Sequence, residues 1–540
     1  MSWRFPIRTA AKPTGRATRA AGRNRNGSRR EGRRTELSRR TSICDFRRIF
    51  LRGAGAVAAG VAAGRLLTEG SDTALEVPLT ANQPAALAVL GRSTLRQPDS
   101  LPYPDLPPGT DTLPQIRQIV VLMLENHSYD NIFGLPDRGD GYTLDKGLAA
   151  SQSAWNPYGV TATNPLSAGG NTVQYSFLMP GTTQLDSQPS QEWEASHVQY
   201  AGGANDGFVM SASGPVAMGY FDSSLLPFTY SLAERFPIAD RWFCSMLGQT
   251  DPNRRFLIAA TAAGMTDDIE VPDNVASFSS GIAMNPLVQD ALLATPANGT
   301  IFDRLSAYGI SWCDYTASYP TGTTSELFPL DDAAVTQLNY QAVDNFFSDC
   351  AAGSLPAFTL LDPDYSTQSQ ENPQDVSVGE AFLYDVVKAL FGSPQWRTTL
   401  LVVTYDEHGG YYDHVPPPVA LVPDSIPPVV ASGESTYDGY ARYGFRVPTL
   451  VVSPFAMSGG LTHAVYDQTS ILAMVESKWN LPAMTYRDAN ANDLTGFLDM
   501  AALQAKQPTF AEVDISSFAG PGSSQPHGPI PPAGSQGPPV

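Results

Sequence analysis

The sequence predicts an α/β protein with a mostly parallel central sheet flanked by helices. Short apolar runs typical of buried parallel strands recur along the chain, at residues 116–124, 355–362, 398–406 and 447–455. Helical patterns alternate with them: residues 378–391 and 468–480 repeat apolar side chains every three or four positions. Because strands and helices alternate, we expect a parallel sheet packed between helices.

Composition divides the chain into a basic leader, a Pro-rich linker or strap, an α/β domain and a tail, at residues 1–67, 68–114, 115–515 and 516–540. The tail consists mainly of Gly, Pro and Ser, a composition that predicts disorder. Within the domain, residues 135–230 and 260–340 are polar and rich in Gly, Pro and Ser. We interpret them as long loop insertions that build the substrate side.

The charge is distributed unevenly. Half of the 34 Lys and Arg residues lie in the first 65 positions, so the rest of the chain has 17 basic residues against 50 acidic ones. A chain segment with this excess of acidic residues is unsuited to binding nucleic acid, because that binding depends on basic side chains that neutralise phosphates. With 540 residues, 42% of them hydrophobic, the chain can bury its own core, and we expect no stable protein partner.

The leader resembles a bacterial twin-arginine export signal. Arg47 and Arg48 precede a short stretch of small apolar residues that runs from Gly53 to Gly64. This stretch is shorter than the roughly 20 residues that a membrane span needs. The sequence therefore predicts export to the periplasm, the cell wall or the extracellular space, with a disordered arm for anionic surfaces as the alternative.

The domain contains three cysteines, Cys244, Cys313 and Cys350. In an oxidising compartment, Cys313 and Cys350 are candidates for one disulfide, although their spacing does not establish it.

Oxygen-bearing side chains follow three of the predicted strands. They are Glu125 and Asn126, Asp362 and Asp364, and Asp406 and Glu407. Ligands of open parallel sheets bind beyond the carboxyl ends of the strands, so these side chains are expected to converge there. Crowded carboxylates repel one another unless a cation neutralises them. Oxygen donors favour Ca, Mg or Mn, with Zn also open. Asp362 and Asp364 have an equal claim to be ordinary capping residues.

Asp406 and Glu407 can share an ion only if the strand ends near them, because adjacent residues of a strand point to opposite faces. Gly409 and Gly410 follow closely and allow an abrupt turn, because glycine adopts positive φ angles without steric cost.

Thr250 is the candidate nucleophile. It lies in the segment GQTDPNR, ahead of an alanine-rich helix. Free N–H groups and the helix dipole stabilise a phosphate at such a helix start. A bound cation would lower the pKa of the hydroxyl and make it a nucleophile. The alternative is a plain helix N-cap.

Six segments together resemble the bacterial phosphoesterase family of phospholipases C and metal-dependent acid phosphatases, which has an alkaline-phosphatase-like fold. They are ENHSYDNIFG (125–134), GGANDGF (202–208), GQTDPNR (248–254), TYDEHGGYYDHVPPP (404–418), YGFRVPTLVVSPFA (443–456) and YDQTS (466–470). The resemblance implies that Glu125, Asn126, Asp406 and Glu407 bind a divalent metal cation. It also implies that Thr250 is a metal ligand and the nucleophile, forming a phosphoryl-enzyme intermediate.

The chain departs from the family pattern at three positions. Family members have histidines that contact the phosphate in H-x-W, E-H-P and Y-D-H-T-S motifs, where this chain has Gln191, Asn372 and Gln468. An amide donates a hydrogen bond but brings no charge and no acid near neutral pH. Arg254 and His414 are the candidates to take over, as phosphate contact and proton carrier. His414 has an equal claim to a structural role beside Asp413.

The sequence thus predicts an exported metal-dependent phosphoesterase of the phospholipase C type. Its substrate would be a phosphate ester or a phospholipid, reached through transient contact with a membrane surface. The alternatives are a phosphomonoesterase or sulfatase-like hydrolase on the same scaffold, or a secreted metal-binding protein that has lost turnover.

Overall fold

A computed structural model describes ten stretches of the chain. They are residues 82–135, 138–141, 163–183, 189–268, 296–317, 319, 327–328, 339–371, 375–430 and 433–534. The predicted leader and Asn372 lie outside these residues.

Twelve strands occur in the described residues. In chain order they are β1 (Gln118–Leu124), β2 (Thr163–Pro165), β3 (Val173–Tyr175), β4 (Phe177–Leu178), β5 (Gly219–Tyr220), β6 (Ile238–Ala239), β7 (Trp312–Thr316), β8 (Tyr340–Ala342), β9 (Phe358–Asp362), β10 (Thr399–Tyr405), β11 (Leu450–Val452) and β12 (Leu461–Thr462).

Eleven α-helices occur in the same residues. They are α1 (Gln83–Val89), α2 (Tyr129–Phe133), α3 (Trp193–Tyr200), α4 (Pro227–Arg235), α5 (Thr250–Ala259), α6 (Ile301–Ala307), α7 (Val343–Ala352), α8 (Val376–Gly392), α9 (Thr469–Trp479), α10 (Tyr486–Asn490) and α11 (Met500–Ala505).

Eight strands form one mixed sheet in the order β12-β6-β11-β10-β1-β9-β7-β8. The central strand β1 pairs in parallel with β10 on one side and with β9 on the other. Every residue of β1 and β10 is buried, as expected for strands covered on both faces. The predicted α/β class and mostly parallel sheet are confirmed.

The strand predicted within residues 447–455 exists as β11, but its expected direction was wrong. It runs antiparallel to β10, with Val451 opposite Val402. An apolar run buried on both faces satisfies either direction, because its side-chain pattern does not depend on which way the neighbouring strand runs.

Both predicted helices are confirmed, as α8 and α9. The side chain of Asp375 caps α8 by accepting a hydrogen bond from the Ser377 N–H. Helix α9 starts beside the carboxyl end of β10, because the Gln468 side chain preceding it donates to the Asp406 carbonyl oxygen at 2.7 Å. It therefore leads away from the edge of the sheet where the strands end.

The two flanking segments both lie against the domain where they are described. Residues 82–114 form a strap, with the Thr112 N–H donating to the Lys478 carbonyl at 2.7 Å. The tail differs from the expected disorder as far as residue 534: the Gln525 N–H donates to Thr182 Oγ1 at 2.7 Å. The Gly522 and His527 N–H groups also donate to side chains of the domain, so part of the tail backbone finds its hydrogen-bond partners there.

The suggested disulfide between Cys313 and Cys350 was wrong. The described residues form no disulfide, and both cysteines are buried, like Cys244, where a thiol packs as a small apolar side chain. Among the described helices, none has the length and apolarity to cross a bilayer.

Candidate active site

The register of β1 and β10 brings two pairs of polar residues together. Leu124, the last residue of β1, lies opposite Tyr405, the last residue of β10. The residues that follow therefore leave the sheet side by side. The Asn126 N–H donates to Asp406 Oδ1 at 3.1 Å, although 280 positions separate the two residues.

A tight turn after β10 presents both of its acidic side chains at this edge. Strand β10 ends before Asp406, whose Oδ1 also accepts the Glu407 N–H at 2.7 Å. Gly409 and Gly410 have φ angles of 64° and 74°, a region that favours glycine. A Cβ atom at Gly409 would collide with the Asn126 carbonyl oxygen. The glycine turn that was predicted from sequence is therefore also required by close packing.

Thr250 stands beside this acidic turn. It is the first residue of α5, whose N-cap is Gln249, so its hydroxyl does not serve as the N-cap. Burial raises the pKa of Asp406, and the nearby Arg254 and Thr250 side chains oppose that rise. The hydroxyl thus lies within interaction distance of a carboxylate that the sequence places more than 150 residues away.

Arg254, one turn further along α5, is placed differently from the prediction. Its guanidinium pairs with Glu125 Oε1 and with Asp362 Oδ1, the latter at 2.8 Å, and its Nε lies 3.8 Å from Asp406 Oδ2. The Tyr365 ring covers it, with the guanidinium carbon 5.1 Å from the ring centre. Arg254 is therefore a buried counter-charge that joins three strand ends, and not an open contact for substrate.

The single positive charge of Arg254 does not balance the negative charges of the carboxylates at these strand ends. The carboxylates of Glu125 and Asp362 pair with it and that of Asp406 approaches it, and Glu407 is a fourth carboxylate of the cluster, close to Asp406 and Glu125. Burial, followed by the charge of Asp406, raises the pKa values of Glu125 and Glu407 well above their usual range. Ionising all four therefore requires positive charge beyond that of Arg254.

Some of the predicted ligand oxygens are available to bind a hard cation. Asn126 Oδ1, Asp406 Oδ2 and Glu407 Oε1 are buried without a hydrogen-bond partner in the described residues. Such orphaned oxygens are costly unless a ligand satisfies them. No three His, Cys, Asp or Glu side chains of those residues are placed to share an ion. Glu125 pairs with Arg254, so the other predicted ligands are the Asp406 and Glu407 carboxylates, the Asn126 amide and the Thr250 hydroxyl.

His414 lies in a different buried cluster. Its Nδ1 is 2.6 Å from Asp130 Oδ2, its Nε2 is 3.4 Å from Asp140 Oδ1, and Arg446 binds Asp130 as well. Burial alone would lower the pKa of His414, but the charge and hydrogen bonds of Asp130 and Asp140 raise it to about 9. These contacts favour the structural alternative for His414 over the catalytic one.

The three amide side chains that were predicted to contact substrate are placed differently from one another. Gln468 is fully buried: its Nε2 donates to the Tyr405 and Asp406 carbonyls at 3.3 and 2.7 Å, and its Oε1 accepts the Ser245 hydroxyl at 2.6 Å. It therefore supports the end of β10, and both ends of its amide are already bonded within the protein. Gln191 is half-buried at the start of α3, and Asn372 lies outside the described residues.

The sequence prediction missed Glu371. This half-buried residue has its pKa raised to about 7, by burial and then by the charge of Asp406. It immediately precedes Asn372, in the E-N-P segment that was considered only for its amide. An acidic residue in a candidate phosphate-binding motif was the available signal.

The chain is similar to several known proteins. The model of the Phosphoesterase family matches residues 116–482. The chain is 30% identical over 442 residues to phospholipase C B of Mycobacterium tuberculosis, covering 72% of this chain and 79% of that protein. It is 29% identical over 404 residues to non-specific phospholipase C1 of Arabidopsis thaliana, covering 69% of each. A solved Vibrio parahaemolyticus protein of the alkaline phosphatase superfamily aligns with 59% of this chain and 72% of its own, with 13% identity and a TM-score of 0.28.

Proposed function

Because the chain belongs to the phosphoesterase family and is a phosphoric ester hydrolase, we propose that it cleaves phospholipids as a phospholipase C does. The cleaved bond joins the phosphorus to the glycerol oxygen, so the products are a diacylglycerol and a phosphorylated head group. The names of both curated relatives support this substrate class.

Thr250 is the proposed nucleophile. Its Oγ forms a bond to phosphorus while the bond from phosphorus to the alcohol oxygen breaks, and the alcohol leaves with the proton that the hydroxyl gives up. Water then hydrolyses the phosphothreonine and regenerates the free hydroxyl. The observation that carries this assignment is the position of Thr250 at the start of α5, beside Asp406, whose Oδ2 has no hydrogen-bond partner in the described residues.

Asn126, Asp406 and Glu407 would hold a divalent cation together with Thr250. When bound, such a cation supplies Lewis-acid stabilisation of phosphate charge and lowers the pKa of a coordinated hydroxyl. Glu125 is the fifth predicted ligand, and because it is paired with Arg254 it must give up that ion pair before it can bind the cation. The N–H groups at the start of α5 would receive a phosphate oxygen.

The decisive experiment compares p-nitrophenyl phosphorylcholine with p-nitrophenyl phosphate, with Ca, Mg, Mn or Zn added to metal-stripped enzyme. We expect faster turnover of the diester and loss of turnover in EDTA. Thr250→Val keeps the shape of the side chain and should lower kcat by at least about 1,000-fold, because it removes the nucleophile. Thr359→Val is the matched control, since its buried hydroxyl lies on β9 and has no hydrogen-bond partner in the described residues.

Three results would redirect the assignment. Preference for the monoester indicates a phosphomonoesterase. Full activity of Thr250→Val removes the phosphothreonine. Cation binding without turnover of either substrate or of phosphatidylcholine vesicles supports the binding-protein alternative.

We also propose that the protein is exported through the twin-arginine route. Support comes from Arg47 and Arg48 ahead of the short apolar stretch. Replacing both arginines with lysine in the full chain should keep the protein inside a host cell that exports the wild type, and export of the double variant would contradict the proposal.

A further inference from the structure

A polar cavity of about 290 Å³ lies where the strap of residues 82–114 meets the domain. The strap contributes Arg92 and Arg96 to its lining, and the domain contributes residues of α9 and of the segments that follow β12 and α10. None of the residues predicted to bind a cation or substrate lines it. Its volume is near the lower end of the range of small-molecule sites, which begins at about 300 Å³.

Backbone carbonyls hold both arginines in place. Arg92 Nη2 donates to the Ala491 carbonyl at 2.6 Å, and its Nε donates to the Asn490 carbonyl. Arg96 Nη2 donates to the Ser100 carbonyl at 3.2 Å, while its backbone N–H donates to Asn490 Oδ1 at 2.8 Å. A guanidinium has five N–H groups, so these bonds fix the two side chains and leave N–H donors available beside the cavity.

Carboxylates do not balance the positive charge at this cavity. Both arginines are held by neutral oxygens, and Asp493 is the one carboxylate of the described residues in the lining. Burial and then the charge of Arg96 lower the pKa of Arg92, because two like charges lie close together. Glu476, near Arg96, contributes little negative charge, since burial and then the charge of Asp488 raise its pKa well above the usual range. The cavity therefore has an excess of one positive charge.

The remaining lining suits a small oxyanion. Ala464, Ala473 and Gly496 have small side chains or none, and Ser477 contributes a hydroxyl. Guanidinium groups bind phosphate through paired, charge-assisted hydrogen bonds, and they do so with better geometry than a lysine ammonium. A phosphate group thus matches the charge, the donors and the size of the cavity.

We propose that this cavity binds the phosphate group of a small molecule or of a lipid head group, through the guanidinium groups of Arg92 and Arg96. The site is separate from the candidate cation site, and the inference does not depend on the proposed function. A bound phosphate would offset the repulsion between the two arginines. It would also connect the strap to α9 and to the segment after α10.

The test is a calorimetric titration of metal-stripped full-length protein with inorganic phosphate and with phosphorylcholine. Stripping leaves no cation at the acidic turn that could recruit phosphate there. Arg96→Gln removes the charge and should raise the dissociation constant about 10–100-fold. Arg96→Lys keeps the charge without the paired donors, so it should bind more tightly than Arg96→Gln and more weakly than wild type. Asp493→Asn should lower the dissociation constant at least about 3-fold, because it removes a nearby negative charge.

Arg235→Gln is the matched control. It also removes one arginine charge, but Arg235 lies over the Phe518 ring and does not line the cavity. This variant should bind phosphate as the wild type does. Phosphate should raise the urea midpoint of wild type and of Arg235→Gln, and it should leave that of Arg96→Gln nearly unchanged. If Arg96→Gln does not fold, Asp493→Asn decides the test, since an asparagine can still cap the turn at Thr495.

Vesicles distinguish the two sources of phosphate. Binding to phosphatidylglycerol vesicles that Arg96→Gln weakens would support a lipid head group, whereas binding of phosphate and phosphorylcholine without vesicle binding would support a soluble ligand. The proposal is overturned if wild type shows no saturable phosphate binding, if Arg96→Gln or Asp493→Asn keeps wild-type affinity, or if acetate binds as tightly as phosphate. None of these outcomes affects the turnover assay, which judges the phospholipase assignment separately.

Discussion

Arg254 provides the sharpest test of the charge balance at the strand ends. Its guanidinium, only 2% exposed, pairs with Glu125 and Asp362 and approaches Asp406. Arg254→Met keeps much of the side-chain volume but leaves these carboxylates without their counter-charge. Removing one partner of a buried ion pair costs about 3–5 kcal/mol. In EDTA, the free energy of unfolding of the variant should fall by about that amount.

A divalent cation should reverse part of this loss. Ligand at 100 times its dissociation constant stabilises a folded protein by about 2.7 kcal/mol, and at 1,000 times by about 4.1 kcal/mol. Without Arg254, the carboxylates attract a cation more strongly, and Glu125 is free to join the site. If affinity rises 10-fold, the same cation concentration stabilises Arg254→Met by about 1.4 kcal/mol more than wild type.

The measurement is urea unfolding followed by tryptophan fluorescence, with EDTA and with added cation. Arg255→Met is the control, because Arg255 is buried in the same helix but donates to the Leu327 and Ala262 carbonyls. It should lose stability yet gain from the cation only as much as wild type does. If Arg254→Met is as stable as wild type in EDTA, or gains no more than wild type from the cation, the charge-balance reasoning is refuted.

Three further predictions follow from other features. The folded-state pKa of His414, about 9, lies above the ordinary value of 6.5, so its stabilising effect is complete below pH 6.5 and is lost as the pH rises through 9. His414→Gln should therefore lose about 3 kcal/mol less stability than wild type between pH 6 and 9.5 in urea titrations, and an identical pH dependence would contradict this. Gly409→Ala should cost at least about 1–3 kcal/mol through its positive φ and the collision with the Asn126 carbonyl, whereas Gly392→Ala, with open space around it, should be nearly neutral in thermal unfolding. The sequence resemblance implies that amides stand where the family has three histidines, so turnover should not require acidic pH, and a sharp optimum near pH 5 in the p-nitrophenyl assay would count against the alignment of those positions.

The fold was predictable because its signals are local. The apolar runs of β1, β9 and β10 and the periodicity of α8 and α9 can each be detected within fewer than twenty residues. The convergence of Glu125 and Asn126 with Asp406 also followed from a general rule about the carboxyl ends of parallel strands. The direction of β11 could not be predicted in this way, because an apolar run carries no information about the direction of its neighbour.

The partners of the charged residues were the least predictable part of the site. Arg254 and Gln468 were expected to face substrate, yet one neutralises Glu125 and Asp362 and the other supports the end of β10. Burial makes an unpaired polar atom costly, so each such side chain takes the nearest complementary group. Which group is nearest depends on the packing of segments that are far apart in the chain.

By itself, the sequence determined the positions of β1, β9, β10 and β11, the glycine turn after Glu407, the acidic character of one sheet edge and the family. Only the tertiary structure decided that Thr250 stands beside Asp406 and that Arg254 pairs with Glu125. The physical reason is that strands and turns arise from neighbouring residues. Charge compensation and hydrogen bonding are settled by whichever groups the completed fold brings within about 3 Å of one another.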